Sequence, residues 1–304
     1  MTEVRRTEER LTEARVAAQA KINLMLRVLA REASGYHQIE TLFCRLALAD
    51  DVIVRVTPDT RTLDCRGADV GPTERNLAYR AAVAYADARG WPDGFAIEID
   101  KRIPVGGGLG GGSADAGAVL RALAALDPTP MSPDGLVTLA GHLGADVPFL
   151  TADCGLALAW SRGDRLLALP APPNRPVVLY LPPFGVPTAA AYGWVAEALA
   201  GRTAPARVLP PRALIDWEWL SVYGGNDFEE PVGARHPEIH VALSALRSLD
   251  GVVLARMTGS GSTVAGILDP SADPAVIATR LRALLPGTVL ITSTVAVAAS
   301  VEVR

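Results

Sequence analysis

The chain has 304 residues with 49% hydrophobic and 20% charged side chains, enough for two domains with a sizeable core and far from the composition of a disordered polymer. A formal charge of −4 without a basic stripe argues against a nucleic-acid partner, and with no apolar run long enough to span a bilayer no membrane-spanning helix is expected. Cys44, Cys65 and Cys154 stand apart in no CxxC pair, so neither a disulfide framework nor a zinc site is expected, and the chain reads as cytoplasmic, a monomer or weak homodimer.

Residues 1–18 are charged and without an apolar stripe, which predicts a frayed or helical extension. From Ala20 to Val28 the pattern AKINLMLRV alternates. Ile22, Leu24 and Leu26 fall on one face of a strand, Lys21, Asn23 and Met25 on the other. Further short apolar runs follow between Leu42 and Val56, and turn residues crowd 57–73. Asn76 caps a helix through Ala88, with Gly90 just past its end, where a left-handed residue is wanted. Phe95, Ile97 and Ile99 mark another alternating strand.

That strand runs through KRIPV into GGGLGGGSAD, residues 106–115, which places six glycines among seven residues ahead of a helix. Without side chains, successive backbone amides come close to an anion, and the helix N-terminus adds its partial positive charge, so the stretch reads as a phosphate loop. It is not a Walker loop, because Gly112 is followed by Ser113 with no lysine between. Ser113 is expected to open the helix, whose apolar residues Ala116, Val119, Leu120, Leu123 and Leu126 recur at helical spacing. A second helix opens at Ser132 with Pro133 at its first position and stops at Gly144.

Six prolines between Ala168 and Val186 break regular structure around the strand Val177–Leu181 and suggest a domain boundary there. A helix spans Pro237–Leu249, and a strand from Val252 leads to a second glycine loop, MTGSGSTVAG at 257–266. His236 and His240 do not form an HExxH pair, and Pro237 opens the helix between them. Of the 29 basic residues only Lys21 and Lys101 are lysines. Both flank unusual stretches, where a compact ammonium does what a planar guanidinium does not.

KRIPVGGGLGGGSAD resembles the ATP loop of the GHMP kinase superfamily, AKINLMLRV its first motif and MTGSGSTVAG its third, in the family's order along nearly the whole chain. GYHQIETLF at 35–43, LGADVPF at 143–149 and GGNDFEEP at 224–231 resemble the branch that phosphorylates a cytidine-diphosphate-linked methylerythritol. The resemblance implies an α+β fold of two domains, 19–172 like domain 2 of ribosomal protein S5 and 173–304 ferredoxin-like, with ATP and Mg²⁺ as cofactors. It implies that Asp146 takes the proton of the substrate hydroxyl while Lys21 pairs with it and offsets charge on the γ-phosphate. It assigns Asn76, Lys101, Pro104, Val105, Gly106, Gly107, Gly108, Leu109, Gly110, Gly111, Gly112, Ser113 and Ala114 to the nucleotide. Asn23, Tyr36, His37, Thr188 and Tyr192, with Asp146, are assigned to the substrate and its cytosine end. Ala114 departs from the second serine of many relatives, and the resemblance leaves the metal ligands open. A mevalonate or homoserine kinase would share the loops but have no use for a base-stacking pocket, and a non-catalytic binding protein would not need both Lys21 and Asp146.

Overall fold

The computed structural model describes residues 12–33, 35–199 and 210–304. Residues 1–11 of the expected extension lie outside the described residues, and 13–18 belong to the first strand instead. The first strand, β1 (Glu13–Arg31), starts earlier than the alternation at Ala20 suggests, because Ala14, Val16 and Ala18 also turn inward and are buried. It forms a long antiparallel hairpin with β2 (His37–Thr57). One end of β2 then pairs with β4 (Gly94–Asp100), which carries β3 (Arg61–Arg66) in parallel at the sheet edge. The short strand β3 lies inside the turn-rich stretch and has no buried side chain to mark it.

Between β3 and β4 lies α1 (Leu77–Arg89), capped by the Asn76 carboxamide and closed by Gly90 at φ +63°, as its sequence predicts. After β4 the glycine loop leads to α2 (Gly111–Leu126), α3 (Pro133–Gly141) and α4 (Val147–Thr151). The α2 helix buries the whole predicted stripe and packs on α1, α4 and the hairpin. Burial of each of Val119, Leu120 and Leu123 contributes about 1.5–3 kcal/mol. The helix starts two residues before Ser113, with Gly110 in the left-handed region and no side-chain cap, so Ser113 is its third residue and not its cap. Its first amides therefore keep no internal side-chain partner.

β5 (Leu156–Ser161) returns to the other end of β2 and pairs with β6 (Arg165–Leu169). β7 (Pro176–Leu181) opens a second, fully antiparallel sheet. Then come α5 (Thr188–Leu199), α6 (Trp217–Tyr223), α7 (Glu229–Gly233) and α8 (Pro237–Arg247). They are followed by β8 (Val252–Met257), β9 (Val264–Leu268), α9 (Pro274–Leu284) and β10 (Thr288–Ser293). The sheet order β10-β7-β9-β8 is the ferredoxin-like arrangement. Finally β11 (Val301–Val303) crosses back to pair with β1. The two halves are joined along β1: the Leu26 amide donates to the Gly225 carbonyl and the Asp227 amide to the Leu26 carbonyl, so GGND at 224–227 seams one to the other.

Candidate active site

The centre of β1 is not a strand with one wet face. Lys21, Asn23 and Met25 are each 4% exposed or less, and register shifts on either side of Lys21 and Asn23 break the simple alternation against β2. The reason is overhead packing by both glycine loops. The Lys21 amide donates to the Leu109 carbonyl in the first loop at 3.0 Å, and the Asn23 amide donates to the Thr258 hydroxyl in the second at 3.1 Å.

From this floor the Lys21 ammonium reaches Asp146 Oδ2 at 3.2 Å and Asn23 Oδ1 at 2.8 Å, over the face of Phe43. Asp146 sits where the loop after α3 turns into α4, one-third exposed, whereas Lys21 is sealed. A fixed cation beside a carboxylate that faces open space suits proton acceptance from a hydroxyl.

These two residues lie in a cleft of about 1090 Å³ that also holds Ser113, Tyr36, His37, Thr188 and Tyr192. His37 and Tyr192 stack at 4.7 Å and 19°, with Phe228 edge-on to Tyr192. Burial, helped by the charge of Arg31, pushes the His37 imidazole below the ordinary histidine range, and its Nε2 has no protein partner. Burial pushes the Tyr192 phenol up to about 12. Tyr36 is 60% exposed at the rim, its ring covered on one side by the Arg162 guanidinium. The Thr188 hydroxyl meets that of Ser260 at 3.1 Å.

Asn23, expected to read the base, lines the cleft, and its carboxamide also bonds inside the protein. Oδ1 accepts from Lys21, from the Gly259 amide at 3.0 Å and from the Thr258 hydroxyl, while Nδ2 donates to Thr41. Its place is beside the lysine.

A second hollow of about 250 Å³ is lined by Asn76, Lys101, residues 104–112 of the loop and Asp115. Gly106, Gly108 and Gly110 all take positive φ. At Gly108 a Cβ would come 2.7 Å from the Thr258 carbonyl, so only glycine lets the two loops touch. Lys101 lines this hollow, yet its ammonium is held between the buried carboxylates of Asp50 and Asp115. Asp50 also accepts the Arg102 and Ile103 amides at 2.5 and 2.7 Å. Asp115 has an oxygen without a partner, and burial together with Asp50 pushes its carboxyl up to about 7 despite Lys101. Asn76 uses its side chain as the α1 cap.

Thr258, Ser260, Arg162 and Asp50 were not singled out from sequence. Thr258 and Ser260 lie within a loop whose glycines were noticed first. Asp50 gave no signal, since it meets Lys101 only across 51 residues of chain.

The GHMP kinases N terminal domain family matches residues 76–153 and the GHMP kinases C terminal family matches 211–287. A 4-diphosphocytidyl-2-C-methyl-D-erythritol kinase of Moorella thermoacetica is 37% identical over 279 residues, covering 90% of this chain and 96% of that protein. One from Pelotomaculum thermopropionicum is 39% identical over 269 residues, covering 87% and 92%. A crystal structure of 4-(cytidine 5'-diphospho)-2C-methyl-D-erythritol kinase superposes with a TM-score of 0.74 at 37% identity, covering 92% of this chain and 98% of that one. Homoserine kinase from Cytophaga hutchinsonii shares the fold alone, with a TM-score of 0.70 at 15% identity.

Proposed function

The chain belongs to the 4-diphosphocytidyl-2-C-methyl-D-erythritol kinases of the GHMP kinase family, and on that premise we propose that its cleft moves the γ-phosphoryl group of ATP to the 2-hydroxyl of that substrate. The observation that carries the reading is the Lys21–Asp146 pair at 3.2 Å, in one cleft with the His37–Tyr192 stack. Asp146 accepts the hydroxyl proton as that oxygen attacks phosphorus, Lys21 offsets the charge gathering on the transferred group, and ADP leaves. The loop amides of Gly106 to Gly112 and the open N-terminus of α2 hold the remaining phosphates. The stacked rings take the cytosine, with His37 kept neutral by burial and by Arg31.

The donor set fits Mg²⁺ carried on the nucleotide. Among the described residues no group of three or more His, Cys, Asp or Glu could hold a metal by itself, and Asp50 and Asp115 each give one oxygen to Lys101. Ser113, in the cleft with Asp146, is the hydroxyl that would reach the ion. An ion held there would offset the negative charge of the phosphates.

A division near residue 172 into an ATP-binding and a C-terminal domain is supported by the two sheets, one built from β1–β6 and the other from β7–β10, with β11 returning to the first. A cytoplasmic place is in keeping with there being, among the described residues, no helix long and apolar enough to cross a membrane. ATP consumption with Mg²⁺ tests the reading, comparing the cytidyl compound against mevalonate and homoserine. Turnover with the cytidyl compound alone is expected, and equal turnover of mevalonate or homoserine would overturn it.

A further inference from the structure

Lysine carries its charge on a four-carbon stem, so an ammonium that must act at one point needs fixed acceptors to hold it. Lys21 has two beside Phe43: Asp146 Oδ2 and Asn23 Oδ1. Asp146 is one-third exposed on a loop, so the rigid acceptor is Asn23. What fixes Asn23 is the second glycine loop. The Thr258 hydroxyl accepts the Asn23 amide at 3.1 Å and donates back to Asn23 Oδ1 at 3.2 Å, and the neighbouring Gly259 amide donates to that same oxygen at 3.0 Å.

Thr258 is itself immobilised. It is fully buried, and its amide donates to the Thr263 carbonyl at 2.9 Å. The carbonyls on either side, Met257 and Gly259, both accept from Asn226 Nδ2 at 2.7 and 2.8 Å. Its own carbonyl lies against Gly108 of the phosphate loop. One threonine thus touches the phosphate loop, the seam at Asn226 and the residue that orients Lys21.

We propose that Thr258 is a positioning residue for phosphoryl transfer, which acts through Asn23 to hold the Lys21 ammonium on Asp146 and makes that placement depend on the second glycine loop. The inference rests on the kinase reading for its effect on rate, but the coupling from Thr258 to Lys21 is a property of the protein alone. Displacement of a catalytic group by about an ångström lowers turnover by up to about 100-fold without an equal loss of binding.

The chain offers its own control, because it contains just two lysines and Lys101 is held by a separate set of partners. In protein labelled with ¹⁵N at lysine Nζ, Thr258→Val is expected to shift or broaden the Lys21 ammonium signal while leaving that of Lys101 in place. In the same variant kcat should fall ~10- to 100-fold, with KM for ATP and for the cytidyl substrate within about threefold of the parent. Thr258→Ser should restore both signal and rate, and Thr258→Ala should repeat the loss with no added volume. An unmoved Lys21 signal, equal disturbance of both lysines, failure of serine to rescue, or a change confined to KM would each overturn the proposal. If the parent protein turns over none of the candidate substrates while Lys21 still answers to Thr258→Val, the coupling stands and the kinase reading falls.

Discussion

Replacing Gly108 by alanine tests the contact between the two glycine loops, and Gly106→Ala and Gly112→Ala calibrate it. Gly106 has φ +83° with nothing within 4 Å of an added Cβ, so its alanine carries only the left-handed backbone cost, about 1–2 kcal/mol. Gly112 has ordinary φ inside α2 and would meet only Leu77 Cδ1 at 3.9 Å, so alanine there is neutral or stabilising by up to about 1 kcal/mol. Gly108 combines φ +79° with backbone oxygens at 2.7 Å (Thr258) and 3.2 Å (Gly261). Neither oxygen can swing away as a side chain does. The second loop must move, weakening the hydrogen bonds that hold Thr258 at about 1 kcal/mol each, for about 3 kcal/mol in all with the φ cost. Thermal unfolding should place Gly108→Ala ~5–10 °C below the parent, Gly106→Ala about half as far and Gly112→Ala level or above. Turnover should fall most in Gly108→Ala. Equal losses for Gly106→Ala and Gly108→Ala would refute the loop contact as the reason glycine is needed at 108.

Asp146→Asn should keep nucleotide binding, measured by titration, while turnover drops ~10²- to 10⁴-fold, as for loss of a positioned base. Tyr192→Phe should match the parent, whereas Tyr192→Ala should raise KM for the cytidyl substrate ~10-fold with kcat little changed, since base stacking contributes about 1–3 kcal/mol. KM for that substrate should stay flat through pH 6.5 and rise only as the pH falls to the depressed value of His37, because a proton there puts a positive charge in the ring stack. The unfolded chain takes that proton more readily, so the stability His37 contributes falls as pH drops from 6.5 through its depressed value. Lys101→Met leaves Asp50 and Asp115 buried together without a cation and should destabilise by about 3–5 kcal/mol in denaturant titrations. Adding Asp115→Asn should recover part of the loss by removing one of two like charges; no recovery would mean that the ammonium's packing, not its charge, matters.

Local rules made much of the frame legible before any tertiary contact was known. Asn76 and Gly90 delimit α1 because capping is settled within one turn of helix. The α2 stripe of Val119, Leu120 and Leu123 gives its buried face by period alone. The density of glycine at 106–112 marks a backbone that must turn with positive φ and leave amides bare. The residues at 143–149 and 224–231 carried a family likeness that led to Asp146, beside Lys21 as expected.

Other features had no local signature. β3 has no buried side chain, and β1 begins at Glu13 because three small residues are covered by partners far along the chain, β11 among them. Ser113 looks like a cap by type, but Gly110 starts the helix without one. Asn23 alternates with apolar neighbours as a half-exposed polar residue would, and only the arrival of Thr258 and Gly259 from 235 and 236 residues away shows that its carboxamide is spent on holding Lys21. Asp50 meets Lys101 in the same way. Sequence by itself determined most of the elements, the glycine loop at 106–112 and the family, since these follow from propensity, period and motif. Which carboxylate neutralises which ammonium, and which amide orients the lysine, were decided by tertiary structure, because hydrogen bonds and charges act over a few ångströms of space whatever the distance along the chain.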